Sequence, residues 1–479
     1  MAHTVVIGAG PVGLVAAMLL AAEGQRVTVL DRDLMDPRAE DVVASSAGGG
    51  RRQRPGVRQF GQPHILLPGG MRVLDRELPR AVAELGAIGG HPYNVISGAW
   101  GAGEVGAEQP GDTRFETLAL RRPLVEAALL AAARETPGIT LRRERVTGLL
   151  TAPKPPERDR PRVTGVVTAD GATVPADLVV DASGRDTRLP ALLEKQGARL
   201  AELPGTNGFR YYSRFFRSPD GSLPKPRRWP LTHHDSVSLI TLPADRGTWS
   251  VTLVTSGRDQ ILRALGETAV WDRAAALYPE IRPWLDGEPL DGVTVMGGTA
   301  TRRHELLRDD RPVVTGLLPV GDAWATTNPQ FGMGLTMGFR QAELLRDQLR
   351  KLGTEDPAEL VLAYDRATED TLVPLWADSD AWDRHRLAEI DEETQGRTYR
   401  SDDPAWNLRN VLDAVRLRDP RLLRAVADVA SLLRTPDEAL AGTDLLTRVA
   451  EWSVGVPRHT EPGPARSRLL TALGAAGRE

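Results

Sequence analysis

The chain has 479 residues, 41% hydrophobic and 26% charged, with 60 Lys+Arg against 64 Asp+Glu, a formal net charge of −4 and no cysteine. This length predicts a large core and two or three domains, and the slightly acidic balance leaves no basic footprint for nucleic acid. The lack of cysteine excludes disulfides, thiolate metal sites and a redox cysteine pair.

Thr4-Val5-Val6-Ile7 predicts a strand and Gly8-Ala9-Gly10-Pro11-Val12-Gly13 a turn; Leu14 to Glu23 then predicts an apolar helix that Gly24 closes. Arg26 to Leu30 predicts a second strand ending on Asp31. Strand, G-x-G-x-x-G, helix, strand and acid form the dinucleotide-binding fingerprint. Gly8 permits the tight turn, Gly10 lets the backbone approach a pyrophosphate, and Gly13 lets the helix lie close to the strand. The pyrophosphate would sit on unpaired helix N–H groups, where the dipole favours negative charge. Asp31 is placed to take a ribose 2′-hydroxyl, which favours NAD or FAD over NADP without separating the first two. With a strand beginning by Thr4 there is no room for a signal peptide, and the longest apolar run, Val12 to Ala22, is too short to cross a bilayer. A cytoplasmic location is the expectation.

Asp33 to Gly50 is polar, ends in glycines and predicts a mobile loop. In Arg54-Pro55-Gly56-Val57, the glycine would let the backbone lie flat against a planar ring, and Arg54 would pair with phosphate or carbonyl oxygens. Ile65 to Leu78 carries helical spacing, with Pro79 as the stop. Gly86 to Asp112 predicts an irregular excursion, and Arg122-Pro123 opens a helix. Ile139 to Leu150 and Val163 to Val167 predict strands around a proline-rich excursion. Asp177 to Asp181 predicts a buried parallel strand running into Ala182-Ser183-Gly184-Arg185.

The pattern then changes to antiparallel strands at 210–217, 236–242, 248–255 and 293–296, with Tyr211, Ser213 and Phe215 on one face and Tyr212, Arg214 and Phe216 on the other. Pro312 to Val320 predicts another buried strand, followed by Gly321-Asp322, by Asn328-Pro329-Gln330-Phe331-Gly332-Met333-Gly334, and by a helix to about Leu352. Helices are expected at 356–371, 383–393, 404–416, 419–433, 437–454 and 464–476, with no evident chemistry of their own.

The opening fingerprint with Asp31-Arg32, the strand Asp177 to Gly184, and Gly321-Asp322 with Pro329 to Gly334 together resemble the FAD-dependent monooxygenases of the p-hydroxybenzoate hydroxylase fold, over residues 1 to about 352. The stretch from Arg54 through Pro63-His64-Ile65-Leu66 to Gly69-Gly70, with Arg210-Tyr211-Tyr212-Ser213-Arg214, is similar to a branch that includes bacterial polyene and polyether epoxidases. The resemblance implies an α/β fold: a Rossmann-like FAD-binding domain, an interleaved antiparallel-sheet substrate domain and a helical C-terminal region. The expected division is 1–80, 113–200 and 297–352 for FAD, 81–112 and 201–296 for substrate, and 353–479 for the helices. It also implies FAD rather than NAD, with Asp322 on the ribityl chain and the helix after Gly332 at the pyrimidine edge of the flavin. The expected cofactor residues are Gly8, Gly10, Pro11, Val12, Gly13, Asp31, Arg32, Arg54, Gly56, Val57, Arg122, Val146, Gly184, Gly321, Asp322, Pro329, Gly332, Met333 and Gly334. No metal is expected, and a cysteinyl-flavin linkage is excluded.

The activity so implied is transfer of one oxygen atom from O2 through a flavin C4a-hydroperoxide, with NADH, NADPH or a separate flavin reductase supplying electrons. The product is an epoxide or an alcohol of a bulky, apolar or aromatic secondary metabolite. Epoxidation needs no obligatory protein base. Phenol hydroxylation would want a partner for phenolate, for which His64, Tyr211 and Tyr212 are the candidates in the substrate cavity, with His233 and His234 behind them. Ala182-Ser183-Gly184 departs from the Ala-Asp-Gly of many aromatic hydroxylases, and there is no second glycine fingerprint for NAD(P)H. A flavin halogenase would carry Trp-x-Trp-x-Ile-Pro and a catalytic lysine; this chain lacks the tryptophan pair and has only Lys154, Lys195, Lys225 and Lys351. The remaining rivals are a C=C reductase or dehydrogenase and a catalytically silent FAD-binding protein.

Overall fold

The computed structural model describes residues 1–34, 54, 57, 59–153, 160–442 and 444–474. Most of the expected loop at 33–50, Gly56, and the middle of the proline-rich excursion lie outside the described residues.

A five-stranded parallel sheet forms the first layer, in the order Leu317–Pro319, Leu178–Asp181, His3–Ile7, Arg26–Leu30, Ile139–Arg142. Its central strands are short β-branched runs covered on both faces, and Val5, Val6, Val179 and Val180 have no exposed surface. The helix Pro11–Ala22 packs on this sheet against Arg122–Arg134 and Met333–Leu352. It is apolar nearly all round because it is covered nearly all round. Its close approach depends on Gly13, where a Cβ would lie 2.1 Å from the Gly8 carbonyl oxygen.

The second layer is an antiparallel sheet ordered Leu231–His234, Val237–Pro243, Thr248–Ser256, Phe209–Arg217, with Glu288–Pro289 and Thr294–Met296 both pairing with the last. One face holds a core of Tyr212, Phe216, Trp249, Trp271 and Trp284. The other presents Tyr211, Ile240, Leu242 and Met296 toward Trp382 and Trp406 of the C-terminal helices. The chain is therefore an α/β protein with a Rossmann-like layer, an interleaved antiparallel sheet and a helical C-terminal region.

Several expected boundaries move, each for a local reason. Pro79 does not simply stop a helix: Pro68–Glu77 ends before it, and Pro79–Ala87 begins on it, at the position where a missing N–H costs nothing. The expected strand at 312–320 is split, because Arg311–Pro312 pairs with Leu307–Arg308 before Gly316 turns the chain at φ +73° and Leu317–Pro319 joins the parallel sheet. The strand Leu231–His234 falls outside the expected set, since its two histidines disguise a half-buried alternation. The expected helix at 437–454 is two helices, Pro436–Leu440 and Leu445–Trp452, and that at 383–393 is the interior of Val373–Thr394. No helix among the described residues is long and apolar enough to cross a membrane.

Candidate functional site

The first strand delivers the chain at Gly8, and the helix Pro11–Ala22 starts after an extended Gly10 with no side chain capping its N-terminus. A Cβ placed on Gly10 would meet nothing within 4 Å, so the space beside this uncapped terminus is open. A second long helix, Met333–Leu352, also begins without a side-chain cap, after Gly332 at φ +66°. Both termini border one cavity of about 1120 Å³. Two uncapped N-termini opening on one cavity suit a ligand with two centres of negative charge.

Of the residues expected from sequence, Gly8, Gly10, Pro11, Val12, Asp31, Arg54, Val57, Arg122, Gly184, Asp322, Pro329, Gly332, Met333 and Gly334 line this cavity. Gly13 and Gly321 stand behind the lining, against Gly8 and Val12 respectively. Two expected residues lie away from the lining. Arg32 carries a half-exposed side chain paired with Asp33 and does not border the cavity. Val146 pairs with Thr168 in an outlying antiparallel sheet and packs on the core instead.

The nucleotide end is held by a buried chain of alternating charges. Asp31 Oδ2 accepts from the Ala9 N–H (2.7 Å) and from Arg54 Nη2 (2.5 Å), while Oδ1 accepts from the Asp33 N–H at 2.7 Å. Arg54 Nη1 donates to Glu126 Oε2 at 2.6 Å, and Arg122 Nε donates to Glu126 Oε1 at 2.6 Å. Against the cost of desolvation, Glu126 and then Asp31 hold the Arg54 guanidinium above its usual range. Arg122 Nη1 lies 3.4 Å from His64 Nε2, and His64 Nδ1 lies 3.0 Å from the Gln62 carbonyl oxygen. Burial, then the Arg122 charge, pushes His64 down to about 3. The imidazole is therefore neutral, with its proton on Nδ1 toward Gln62 and its lone pair turned to Arg122. His64 lines the cavity with both ring nitrogens engaged.

Beyond Gly184 the cavity enters the second layer. Asp181, at the strand end, accepts from the Ser183 N–H (3.0 Å) and Thr187 Oγ1 (2.5 Å), and so holds the Ala182-Ser183-Gly184 turn at the cavity wall. Burial raises the Asp181 carboxyl. The far end is walled by Tyr211, Ser213, Ile240, Leu242, Met296 and Phe331, with Leu408, Arg409 and Leu412 from the helix Pro404–Val415. Strand alternation turns Tyr212 to the opposite face, where Trp271 Nε1 donates to its backbone carbonyl at 3.0 Å, so Tyr212 does not line the cavity. His233 does line it, with Nδ1 2.8 Å from Ser238 Oγ and its ring 4.9 Å from that of Trp382. His234 faces away, toward Tyr278.

Sequence reasoning missed Asn328 and Asp383 as a pair. Tyr211 donates its hydroxyl to Asn328 Oδ1, and Asn328 Nδ2 donates to Asp383 Oδ1 at 2.6 Å. No pattern in the chain singles out Asp383, because the buried face of Val373–Thr394 also carries Ser379, Asp380, Arg386 and Glu389.

The residues present fit an FAD. The uncapped terminus beside Gly10 would take the pyrophosphate, and Asp31 keeps acceptor capacity for a ribose hydroxyl. Asp322 borders the cavity beside Gly334. The Nε2 and Oε1 atoms of Gln330, which lines the cavity beside the second terminus, are buried without partners.

A family model described as an FAD binding domain matches residues 1–45. The chain is 30% identical over 480 residues to Protein Rv3254 of Mycobacterium tuberculosis (strain ATCC 25618 / H37Rv), with 94% of each chain covered. Among solved structures it is similar to PqsL, described as a probable FAD-dependent monooxygenase from Pseudomonas aeruginosa, at 15% identity and TM-score 0.57, covering 82% of this chain and 97% of that one. It is also similar to the flavin-dependent brominase Bmp2 (16%, TM-score 0.56, 99% of each chain). A flavoprotein/dehydrogenase from Cytophaga hutchinsonii is a third likeness (16%, TM-score 0.57, 95% and 99%). These identities speak for the fold alone. The domain match and the fold together define an FAD-binding protein with the fold of these flavoproteins. The chain belongs to one family with Protein Rv3254 and opens with an FAD binding domain.

Proposed function

We propose that the protein is an FAD-dependent monooxygenase that inserts one oxygen atom from O2 into a bulky, apolar or aromatic secondary metabolite such as a polyene or polyketide, by epoxidation or hydroxylation. The observation that carries this reading is the continuity of the cavity, from the two uncapped helix termini to a chamber walled by the antiparallel sheet and the C-terminal helices. Under this reading, residues 1–80, 113–200 and 297–352 hold FAD, 81–112 and 201–296 form the substrate domain, and 353–479 close the chamber.

Bound FAD, reduced by NADH, NADPH or a separate flavin reductase, supplies the activation of O2. The chain's own residues bind, orient and keep out water. Asp31 and the terminus at Gly10 hold the nucleotide half, and Asp322 holds the ribityl chain. The uncapped terminus at Gly332 to Gly334 would favour negative charge on a flavin ring bound beside it. Ile240, Leu242, Met296 and Phe331 provide a dry wall beside the reacting centre. Tyr211, on that wall, gives its proton to Asn328 and is placed to accept from a substrate hydroxyl, and neutral His64 braces Arg122 at the junction of the two halves.

A halogenase reading is disfavoured within the site itself, because no lysine among the described residues lines the cavity. The test is turnover under ¹⁸O2 of polyene and phenolic candidates with NADH, NADPH or separately reduced flavin, read by mass spectrometry. One ¹⁸O atom in the product supports the proposal. Turnover without ¹⁸O assigns a reductase or dehydrogenase instead.

A further inference from the structure

Three regions far apart in the chain meet at the side-chain amide of Asn328. Its Oδ1 accepts from the Gln330 N–H at 3.1 Å, which caps the short turn Pro329–Phe331, and from the Tyr211 hydroxyl of the antiparallel sheet. Its Nδ2 donates to Asp383 Oδ1 at 2.6 Å, on the C-terminal helix Val373–Thr394. The turn it caps leads directly into Gly332 and the uncapped helix terminus of the cavity. Asn328 is 2% exposed and Asp383 1%, so water does not replace either partner.

An amide in this place has two orientations, and the surroundings permit one. With Oδ1 toward Gln330 and Tyr211, two donors meet an acceptor, and the NH2 group needs an acceptor on its other side. Asp383 is that acceptor. Were the amide reversed, its NH2 would confront the Gln330 N–H, a backbone group that can only donate. Asp383 needs no charge for this task. Burial first, then the nearby Asp380 carboxylate, pushes its carboxyl up to about 8, opposed by the Asn328 bond and by Arg409. An uncharged carboxyl still accepts through its carbonyl oxygen, as would the amide of an asparagine.

We propose that Asp383 is a positioning residue of the cofactor site: acting through Asn328, it sets the turn that precedes the Gly332 helix terminus and fixes the Tyr211 hydroxyl at the cavity wall. The C-terminal helical region thereby completes the cofactor-facing turn and ties it to the substrate sheet. This rests on the reading that residues 332–334 face the flavin.

The test uses the full chain, stripped of flavin and reconstituted with FAD, and reads the visible flavin spectrum and the FAD dissociation constant. Asp383→Asn, which keeps an acceptor, is expected to give the wild-type spectrum and an affinity within twofold of wild type. Asp383→Leu is expected to shift the flavin bands and weaken FAD binding tenfold or more. Should Asp383→Leu fail to fold, Asn328→Ser carries the same expectation, since serine still caps the turn but loses the reach to Asp383. A wild-type spectrum and affinity in folded Asp383→Leu or in Asn328→Ser overturns the inference, as does damage by Asp383→Asn equal to that by leucine. These outcomes leave the proposed function standing. A wild-type chain that takes up no FAD overturns both.

Discussion

The two ends of the cavity are built on different plans. The nucleotide end is mostly backbone: a turn at Gly8 to Gly13, a helix terminus and one acid, all within residues 8–31 and buttressed by the Arg54–Glu126–Arg122 chain. The other end, which takes substrate under the proposed function, is mostly side chains, contributed by the sheet strand Phe209–Arg217, the turn after Asn328 and the helices Val373–Thr394 and Pro404–Val415. A constant ligand part is met by groups every residue carries. A variable part is met by groups that only the side chains supply.

The largest expected effect tests the nucleotide end. Arg54→Met leaves the buried Asp31 carboxylate with backbone donors but without its guanidinium and leaves Glu126 with Arg122 alone, and is expected to cost about 3–5 kcal/mol in chemical denaturation. If stability is unchanged, the charge chain does not brace this end. Gly13→Ala forces a Cβ against the Gly8 carbonyl and is expected to cost about 1–3 kcal/mol, whereas Gly10→Ala, with open space around it, folds as wild type and loses FAD. Equal melting of the two variants would mean that Gly10 serves packing rather than the ligand.

Asp322→Ala is expected to weaken FAD binding by about 1.5–3 kcal/mol with little loss of stability. Full FAD retention would remove Asp322 from the cofactor site.

Acid tests the packing behind the cavity rather than either of its ends. His234 and His459 both sit at about 3, through burial first and then through Arg227 and Arg386 respectively, and both are neutral in the folded protein. Their folded pKa lies below the unfolded value of about 6.5, so the stability they contribute is present above that value and lost as pH falls toward 3. Each adds a slope approaching about 1.4 kcal/mol per pH unit within that window. Melting curves from pH 7.5 to 5 should show the loss, and His234→Gln should flatten it; an unchanged slope would mean that His234 is not held neutral.

The smallest contrast lies within one strand. Tyr211→Phe removes the bond to Asn328 and is expected to alter turnover, while Tyr212→Phe, on the opposite face, leaves substrate kinetics as they are. Equal effects on turnover would show that facing the cavity confers no role.

Sequence alone determined the nucleotide end, since turn, helix start and acid follow one another along the chain and each requirement maps to a residue type. Gly13 against Gly8, and Asp322 beside Gly334 on the cavity wall, lie where the spacing puts them. The alternation of Tyr211 and Tyr212 was legible as two faces, but not which face is the cavity, because both neighbours are aromatic and both faces are covered. The tertiary structure alone decided the rest. It turned the His64 lone pair onto Arg122, kept Val146 away from the site, and brought Asp383 to Asn328 across 55 positions. The physical reason is separation. A hydrogen bond between distant segments leaves no period or motif in the chain, and the burial that gives it consequence exists only once the layers have closed.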